Sequence, residues 1–282
     1  MSGKGTAVIT GAGSGIGRAL TALCASRGYD LALFDINSEE LEEAGEEGRA
    51  LGAKVLTRRL DVSDPQACDQ AAEEVAQGCG PVSLVINNAG VALGGYFDEA
   101  SPEDFRWLTE INYFGVVNMT RAFLPMLQAH PVHGQLVNVS SVFGMIAPAG
   151  QTAYCGAKFA VRGFSEALRH ELQGTSVGVT VVHPGGVATN IAKRARISKG
   201  IGIERLEAAR EQAEKSLSMP PEKAAQIILD AAERRSQRCI VGNDARMLEA
   251  IQRVLPINYY AILKMLGLSA PPPKPAEKST AS

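Results

Sequence analysis

The stretch Thr6-Ala7-Val8-Ile9-Thr10-Gly11-Ala12-Gly13-Ser14-Gly15-Ile16-Gly17 decides the fold. Its first five residues are apolar or β-branched and predict a short buried strand. The glycines turn the chain at once, and a helical pattern follows to about Arg27. In a strand–turn–helix unit the backbone N–H groups at the helix start point outward, where the helix dipole favours an anion. The spacing is not G-x-G-x-x-G, because Ile16 stands where the third glycine would be; it reads Thr-Gly-x-x-x-Gly-x-Gly. Gly11 permits the tight turn, Gly15 lets a pyrophosphate approach, and Gly17 lets the helix pack on the strand. A glycine turn alone is also compatible with a plain structural turn.

Moving outward, Tyr29 to Phe34 predicts a second strand, ending at Asp35, 18 residues after Gly17. A carboxylate at about that distance can accept hydrogen bonds from an adenosine ribose and would repel a 2′-phosphate. Neither Ser14 nor Ile36 offers a cation to hold such a phosphate, which favours NAD over NADP. Arg18 is the one counter-argument, and it can equally face solvent from inside its helix. Ser38 to Leu51 predicts a helix capped by Ser38, and Lys54 to Leu60 a third strand ending at Asp61-Val62. Val82 to Ile86 predicts a fourth, closed by Asn87-Asn88-Ala89-Gly90, whose paired amides can tie strand ends and line a cleft. Strands alternating with helices imply right-handed crossovers and a parallel α/β sheet.

A capped helix is expected from Ser101-Pro102, continuing through Asn112 and on to Gln128. Gln135 to Val139 predicts a fifth strand ending at Ser140-Ser141, and Gln151 to about Leu172 a long helix. That helix carries Tyr154 and Lys158, which four-residue spacing sets on one face. A cation beside a phenol favours the phenolate, so the pair can exchange a proton. Ser140 and Ser141 lie 14 and 13 residues before the tyrosine. Val177 to His183 predicts a sixth strand, followed by the loop Pro184-Gly185-Gly186-Val187-Ala188-Thr189; His183 reads as a buried structural histidine. Ile191 to Lys199 reads as the start of a mobile flap, Glu204 to Leu217 as a polar helix and Pro221 to about Arg234 as another. Arg238 to Val241 predicts a seventh strand, with helices at Arg246–Val254 and Asn258–Leu266.

Composition bounds the function. Among 282 residues the net charge is −2, with both signs mixed, so nothing marks a nucleic-acid partner. The five cysteines have no metal-ligand spacing and no disulfide framework; they read as reduced thiols of a cytoplasmic protein. No signal peptide or membrane span is expected, since Val254 to Leu268 is broken by Pro256, Asn258 and Lys264. Peripheral contact of the apolar C-terminal helix with a membrane has no support beyond its composition.

Thr10-Gly11-x-x-x-Gly15-x-Gly17, Asn87-Asn88-Ala89-Gly90, Asn112, Ser141, Tyr154-x-x-x-Lys158 and Pro184-Gly185-x-x-x-Thr189 stand together in this order. In them the chain resembles the short-chain dehydrogenase/reductases, from about residue 4 to 242. The resemblance implies one doubly wound Rossmann-type domain, with a seven-stranded parallel sheet in the order 3-2-1-4-5-6-7 and helices on both faces. The expected organisation is an oxidoreductase domain over 1–268, with its core at 4–242 and a helical extension at 243–268, then a disordered proline-rich tail at 269–282.

The resemblance further implies NAD(P) as cofactor and alcohol–carbonyl chemistry. It makes Ser141 the catalytic serine, with Tyr154 as general acid/base, Lys158 tuning it, and Asn112 holding a water. Ser141 and Tyr154 would contact the substrate. Cofactor contacts fall on Gly11, Ser14, Gly15, Ile16, Gly17, Asp35, Asp61, Val62, Asn87, Ala89, Gly90, Tyr154, Lys158, Pro184, Gly185, Val187 and Thr189. Asp61 and Val62 would meet the adenine, Asn87 its ribose, and Val187 and Thr189 the nicotinamide amide. The family usually forms dimers or tetramers through the helices bearing Asn112 and Tyr154. Leu93 to Phe97, Phe143 to Ala149 and Ile191 to Ile203 are expected to wall a pocket for a hydrophobic, lipid- or steroid-like alcohol or ketone. The competing readings are an NADPH-dependent carbonyl reductase and a catalytically silent nucleotide-binding sensor or scaffold.

Overall fold

The computed structural model describes residues 4–198 and 217–267. The proline-rich tail expected at 269–282 and the helix expected at 204–217, apart from its last residue, lie outside the described residues. Counting only strands of the large sheet, the elements are β1 (Thr6–Thr10), α1 (Gly15–Ser26), β2 (Asp30–Asp35), α2 (Ser38–Ala50), β3 (Val55–Arg59), α3 (Pro65–Gly78) and β4 (Val82–Asn87). There follow α4 (Pro102–Thr109), α5 (Gly115–Ala129), β5 (Gly134–Val139), α6 (Thr152–Glu171), β6 (Val177–Pro184), α7 (Pro221–Glu233), β7 (Arg238–Val241), α8 (Asn243–Val254) and α9 (Tyr259–Met265). The seven strands pair in parallel in the order β3-β2-β1-β4-β5-β6-β7, as the sequence led us to expect.

The two-residue alternation of the strands divides the core. Ala7, Ile9, Leu31 and Leu33 pack with Leu20 and Cys24 of α1 and with Ala224, Ile228 and Leu229 of α7. Val8, Ala32 and Phe34 pack on the other face with Val75 of α3 and Met119 and Phe123 of α5. Parallel strands covered on both faces give the near-continuous apolar runs seen in the sequence. The carboxyl ends of β1, β2, β4, β5 and β6 carry Thr10, Asp35, Asn87, Val139 and Pro184 to one edge, where open α/β sheets bind ligands.

Local chemistry corrects three expectations. The cap of α2 is Asn37, not Ser38; its Oδ1 accepts from Glu39 N and Glu40 N at 3.1 and 3.3 Å. The helix through Asn112 is not continuous, because Glu110–Phe114 forms a π turn between α4 and α5. The first part of the expected flap is tied down: Arg196–Ile197 pairs in parallel with Leu93–Gly94, and Ser198 N and Oγ both donate to Gly94 O. Arg196 also stacks over Trp107 at 3.7 Å and reaches Asp104 at 3.2 Å.

A buried polar chain joins the middle of the fold. Asn87 Nδ2 donates to Thr120 Oγ1 and Asn138 Oδ1, at 3.1 and 2.8 Å. Asn138 Nδ2 donates to Ser165 Oγ at 2.9 Å, and Ser165 Oγ in turn donates to Val161 O at 2.7 Å. The chain therefore links β4, β5, α5 and α6 with side-chain bonds in addition to the backbone ladder. Asn138→Ala removes two buried partners at once and is expected to destabilise the protein by about 2–4 kcal/mol, read as a lower urea midpoint with an unchanged slope.

Candidate active site

The glycine turn is built as the spacing requires. Gly11 has φ +65°, and a Cβ there would stand 2.9 Å from Ala89 Cα. At Gly17 a Cβ would overlap Gly11 O and meet Asn88 Nδ2 at 2.7 Å, so only glycine lets α1 lie this close. Asn88 holds the turn, donating from Nδ2 to Thr10 O and Gly11 O at 3.0 and 3.2 Å. Thr10 Oγ1 accepts from Asn88 N and Ala89 N, both at 3.0 Å. Asn88 thus ties the end of β4 to β1, as Asn87 ties it to β5. Asn87 turns its amide into the polar chain of the core, with its Oδ1 buried and without a partner. Gly15, Ile16 and Gly17 open α1, where the first N–H groups have no acceptor within the helix. Ser14 precedes them in extended conformation, its side chain making no cap bond.

Asp35 closes the other side of the turn. Its Oδ2 accepts from Gly13 N at 2.9 Å and its Oδ1 from Asn37 N at 3.0 Å, which fixes the carboxylate beside the glycines. Arg18 points away, into ion pairs with Glu43 and Glu47 of α2 at 2.9 and 2.6 Å. Sequence distance hid another cation: Arg194 grips Glu40 through both carboxylate oxygens, with Nη1 to Oε2 at 2.9 Å, and feels Asp35 as well. Asp61 is held in its own turn, accepting from Ser63 N and Oγ at 2.9 and 2.7 Å. Val62 is buried in the core, where a Cβ on Gly115 would meet its Cγ2 at 2.6 Å.

The structure brings Ser141, Tyr154, Lys158, Asn112 and Gly90 together. Lys158 is buried, and its Nζ donates to Val139 O at 3.0 Å and lies 5.7 Å from the centre of the Tyr154 ring. A Cβ on Gly90 would sit 3.4 Å from Nζ and 3.1 Å from Asn112 Oδ1, so glycine leaves the space between them clear. The π turn aims the Asn112 amide at Val91, accepting from its N–H and donating to its C=O, each at 2.8 Å. The Asn112 side chain therefore fixes the chain after β4 with one donor and one acceptor.

The two serines separate by partner. Ser140 Oγ donates to Lys158 O at 2.8 Å and serves the packing of α6. Ser141 Oγ accepts from Phe143 N at 3.1 Å and stands beside the Tyr154 hydroxyl. His183 Nδ1–H donates to Ser141 O at 2.9 Å. Burial pulls this imidazole down to about 4, so it is a neutral support of the serine. Burial also pushes Tyr154 up to about 12, outweighing the Ser141 hydroxyl, and pulls Lys158 down to about 8. Within the protein alone, desolvation therefore overrides the lowering of the phenol expected from its cationic neighbour. Cys155, pushed up to about 12 by burial, is a packing thiol.

The loop after β6 approaches the glycine turn from the far side. Gly185 N donates to Val241 O at 2.9 Å, Ala188 N to Met219 O at 2.8 Å, and Val187 is buried in the core. A Cβ on Gly15, where φ is +53°, would be 3.0 Å from Thr189 Cγ2. The walls differ from expectation at Met145 and Ile146, which turn under α8 and α9 to pack with Ala245, Leu248 and Leu263. Phe143 stays by the site, edge-on to Tyr154 at 6.2 Å, and Leu93, Leu108, Phe105 and Trp107 cluster with Tyr154.

These features fit a nicotinamide dinucleotide. The outward N–H groups of α1 suit a pyrophosphate, the fixed Asp35 suits a ribose, and the slot between Gly15 and Thr189 is one that a single Cβ would fill.

Comparison with known proteins agrees. Residues 5–200 match the sequence model of the short chain dehydrogenases. Over 260 residues, 91% of this chain and 93% of the relative, it is 40% identical to SadH of Mycobacterium tuberculosis, named an oxidoreductase. Among solved structures it resembles a Burkholderia phymatum short chain dehydrogenase/reductase in complex with NAD. That likeness has a TM-score of 0.83 and 29% identity, covering 96% of this chain and 97% of the other. A short chain dehydrogenase from Mycobacterium paratuberculosis bound to NAD gives a TM-score of 0.76 with 26% identity, over 86% and 97% of the two chains.

The buried lysine carries a pH signature. Folded Lys158 gives up its proton near pH 8, whereas a lysine in the unfolded chain holds it to about 10.4. Between these values the unfolded state binds more protons, so this contribution raises stability with pH. Tyr154, pushed up to about 12, opposes it only above about pH 10. The melting temperature of wild type relative to Lys158→Met should therefore rise from pH 7 to pH 9.5. A difference constant over that range would contradict a buried, easily neutralised lysine.

Proposed function

This chain belongs to the short-chain dehydrogenase family, and we propose from that premise that it moves a hydride between NAD(H) and a secondary alcohol or ketone. The observation that carries the proposal is the meeting of Tyr154, Lys158 and Ser141 at the strand edge that also holds the glycine turn. The nicotinamide supplies the hydride acceptor or donor. Tyr154 exchanges the hydroxyl proton, and Ser141 donates to the substrate oxygen as its charge develops. Lys158 holds the nicotinamide ribose, and its charge, with that of the oxidised ring, favours the phenolate against the burial that opposes it. Asn112 keeps the β4 loop in place through Val91, and its second amide N–H and second carbonyl lone pair leave room for the water expected there.

NAD is favoured over NADP. Asp35 lies where a 2′-phosphate would need a cation, Arg18 is bound by two glutamates, and Arg194 is neutralised by Glu40. The aromatic and aliphatic cluster around Tyr154 favours a hydrophobic substrate, lipid- or steroid-like in character. Phe114 and Phe159, half exposed on the π turn and α6, support a homodimer or homotetramer through these helices. No helix among the described residues is long and apolar enough to cross a membrane. Five thiols without a disulfide suit the cytoplasm.

Tyr154→Phe is expected to lower turnover of secondary alcohols with NAD by about 10²–10⁴-fold, with NADH affinity, followed by fluorescence, little changed. Substantial residual turnover would remove Tyr154 from its role. Tighter binding of NADPH than of NADH would remove Asp35 from its own. Nucleotide binding with no turnover across a broad panel of alcohols and carbonyls would favour the silent sensor.

A further inference from the structure

We propose that Asp244, in the helical extension beyond the family core, is a positioning residue for the nicotinamide end of the site. It would hold the loop 184–189 in its binding conformation. The inference rests on the NAD reading above.

Asp244 is the second residue of α8, where a carboxylate is favoured by the helix N-terminus. Its Oδ2 accepts from Gly186 N at 2.7 Å. The carboxylate also fills the side-chain space of two glycines. A Cβ on Gly185 would stand 2.6 Å from Asp244 Cγ, and a Cβ on Gly242, where φ is +107°, would overlap Oδ1. The exposed carboxylate thus sits in the space that a side chain at either glycine would claim, one on each side of it. The other N–H groups of the loop find backbone acceptors: Gly185 on Val241, Val187 on Gly185, Ala188 on Met219 and Thr189 on Val187. Gly186 alone in this run takes a side chain.

The carboxylate has a firm base. Ala245 and Leu248 of α8 are buried against Met145 and Ile146, and Glu249 pairs with Arg238 of β7 at 2.8 Å. From α9, the Tyr259 hydroxyl accepts from Ala147 N at 3.1 Å. One extension therefore grips both loops beside the site, that after Ser141 and that after β6. Two successive glycines are the most mobile backbone a chain can offer, and a fixed acceptor at Gly186 removes that freedom before a ligand arrives.

The test compares NADH with ADP-ribose, which lacks the nicotinamide, on the full chain of wild type, Asp244→Ala and Asp244→Asn. Asn keeps an acceptor oxygen, so it separates the hydrogen bond from the charge. Asp244→Ala is expected to weaken NADH about tenfold or more, to leave ADP-ribose within about twofold, and to speed amide hydrogen exchange at 185–189 in the free protein. Asp244→Asn is expected to recover most of the NADH affinity. Asp244→Ala that binds NADH as wild type does, or that loses NADH and ADP-ribose alike, overturns the assignment. So does Asp244→Asn no better than Asp244→Ala. Wild-type protein that binds neither ligand overturns the dinucleotide reading itself, and this inference with it.

Discussion

Much of this site depends on one buried cation. Lys158 is held inside the protein with Val139 O as its hydrogen-bond acceptor, and burial alone brings its pKa to about 8. A charge so placed is costly unless its surroundings are fixed. The surroundings are fixed from several directions. Ser140 ties the carbonyl of Lys158 to the end of β5, the polar chain through Asn138 locks β5 to β4 and α6, and Asn112 clamps Val91 beyond Gly90. These groups lie at strand ends, on α6 and on the π turn, so elements around the carboxyl edge of the sheet together fix one costly side chain.

How far the sequence was legible follows from the range of each interaction. The strands and the glycine turn could be read because they rest on local periodicity and on glycines placed by steric need, whereas the strand order came from the family resemblance. Tyr154 and Lys158 could be paired because four residues on a helix make a face. What escaped depended on distant partners. From their residue type alone Ser140 and Ser141 look alike; the family resemblance singled out Ser141, and the bond of Ser140 to Lys158 O is the distant partner that separates them. The roles of Asn87 and Asn88 divide only when Thr10 and Asn138 arrive from other strands. Arg194 reaches Glu40 across 154 residues, which no spacing rule predicts. Met145 and Ile146, so close to the serine in sequence, belong to a core formed by the C-terminal helices. The π turn, too, was hidden, and the Asn112 amide it carries meets the backbone of Val91, 21 residues earlier.

The disagreement over Tyr154 is itself informative. Four-residue spacing argues for a lowered phenol pKa, yet desolvation raises it to about 12 and lowers the lysine to about 8. Both shifts have the same origin, since burial disfavours the charged form of each group. At neutral pH the protein thus keeps the phenol protonated beside a lysine that still carries its charge but gives it up easily. A positive charge bound beside it, such as an oxidised nicotinamide, would then do more to the pair than the same charge in water, because the effective dielectric is low. On the proposed reading, catalytic competence would be a property of protein and cofactor together, and the loops that bring the nicotinamide to the pair would share in the acid–base work.

That conclusion changes the status of the extension after β7. In a sheet of this kind the carboxyl-end loops carry the function, and the Gly185-Gly186 pair is held here by Asp244 at Gly186 N and by Ser218 N and Met219 N at Gly186 O. A chain that ended at β7 would lack the carboxylate that occupies the Gly185 and Gly242 slots. It would also lack the tyrosine that takes Ala147 N–H. Both contacts are made from α8 and α9, whose remaining inward residues serve to seat them on Met145 and Ile146. The extension is therefore better understood as the outer wall of the site than as an appendage to a complete one, and the apolar residues it draws away from the pocket are the anchor of that wall.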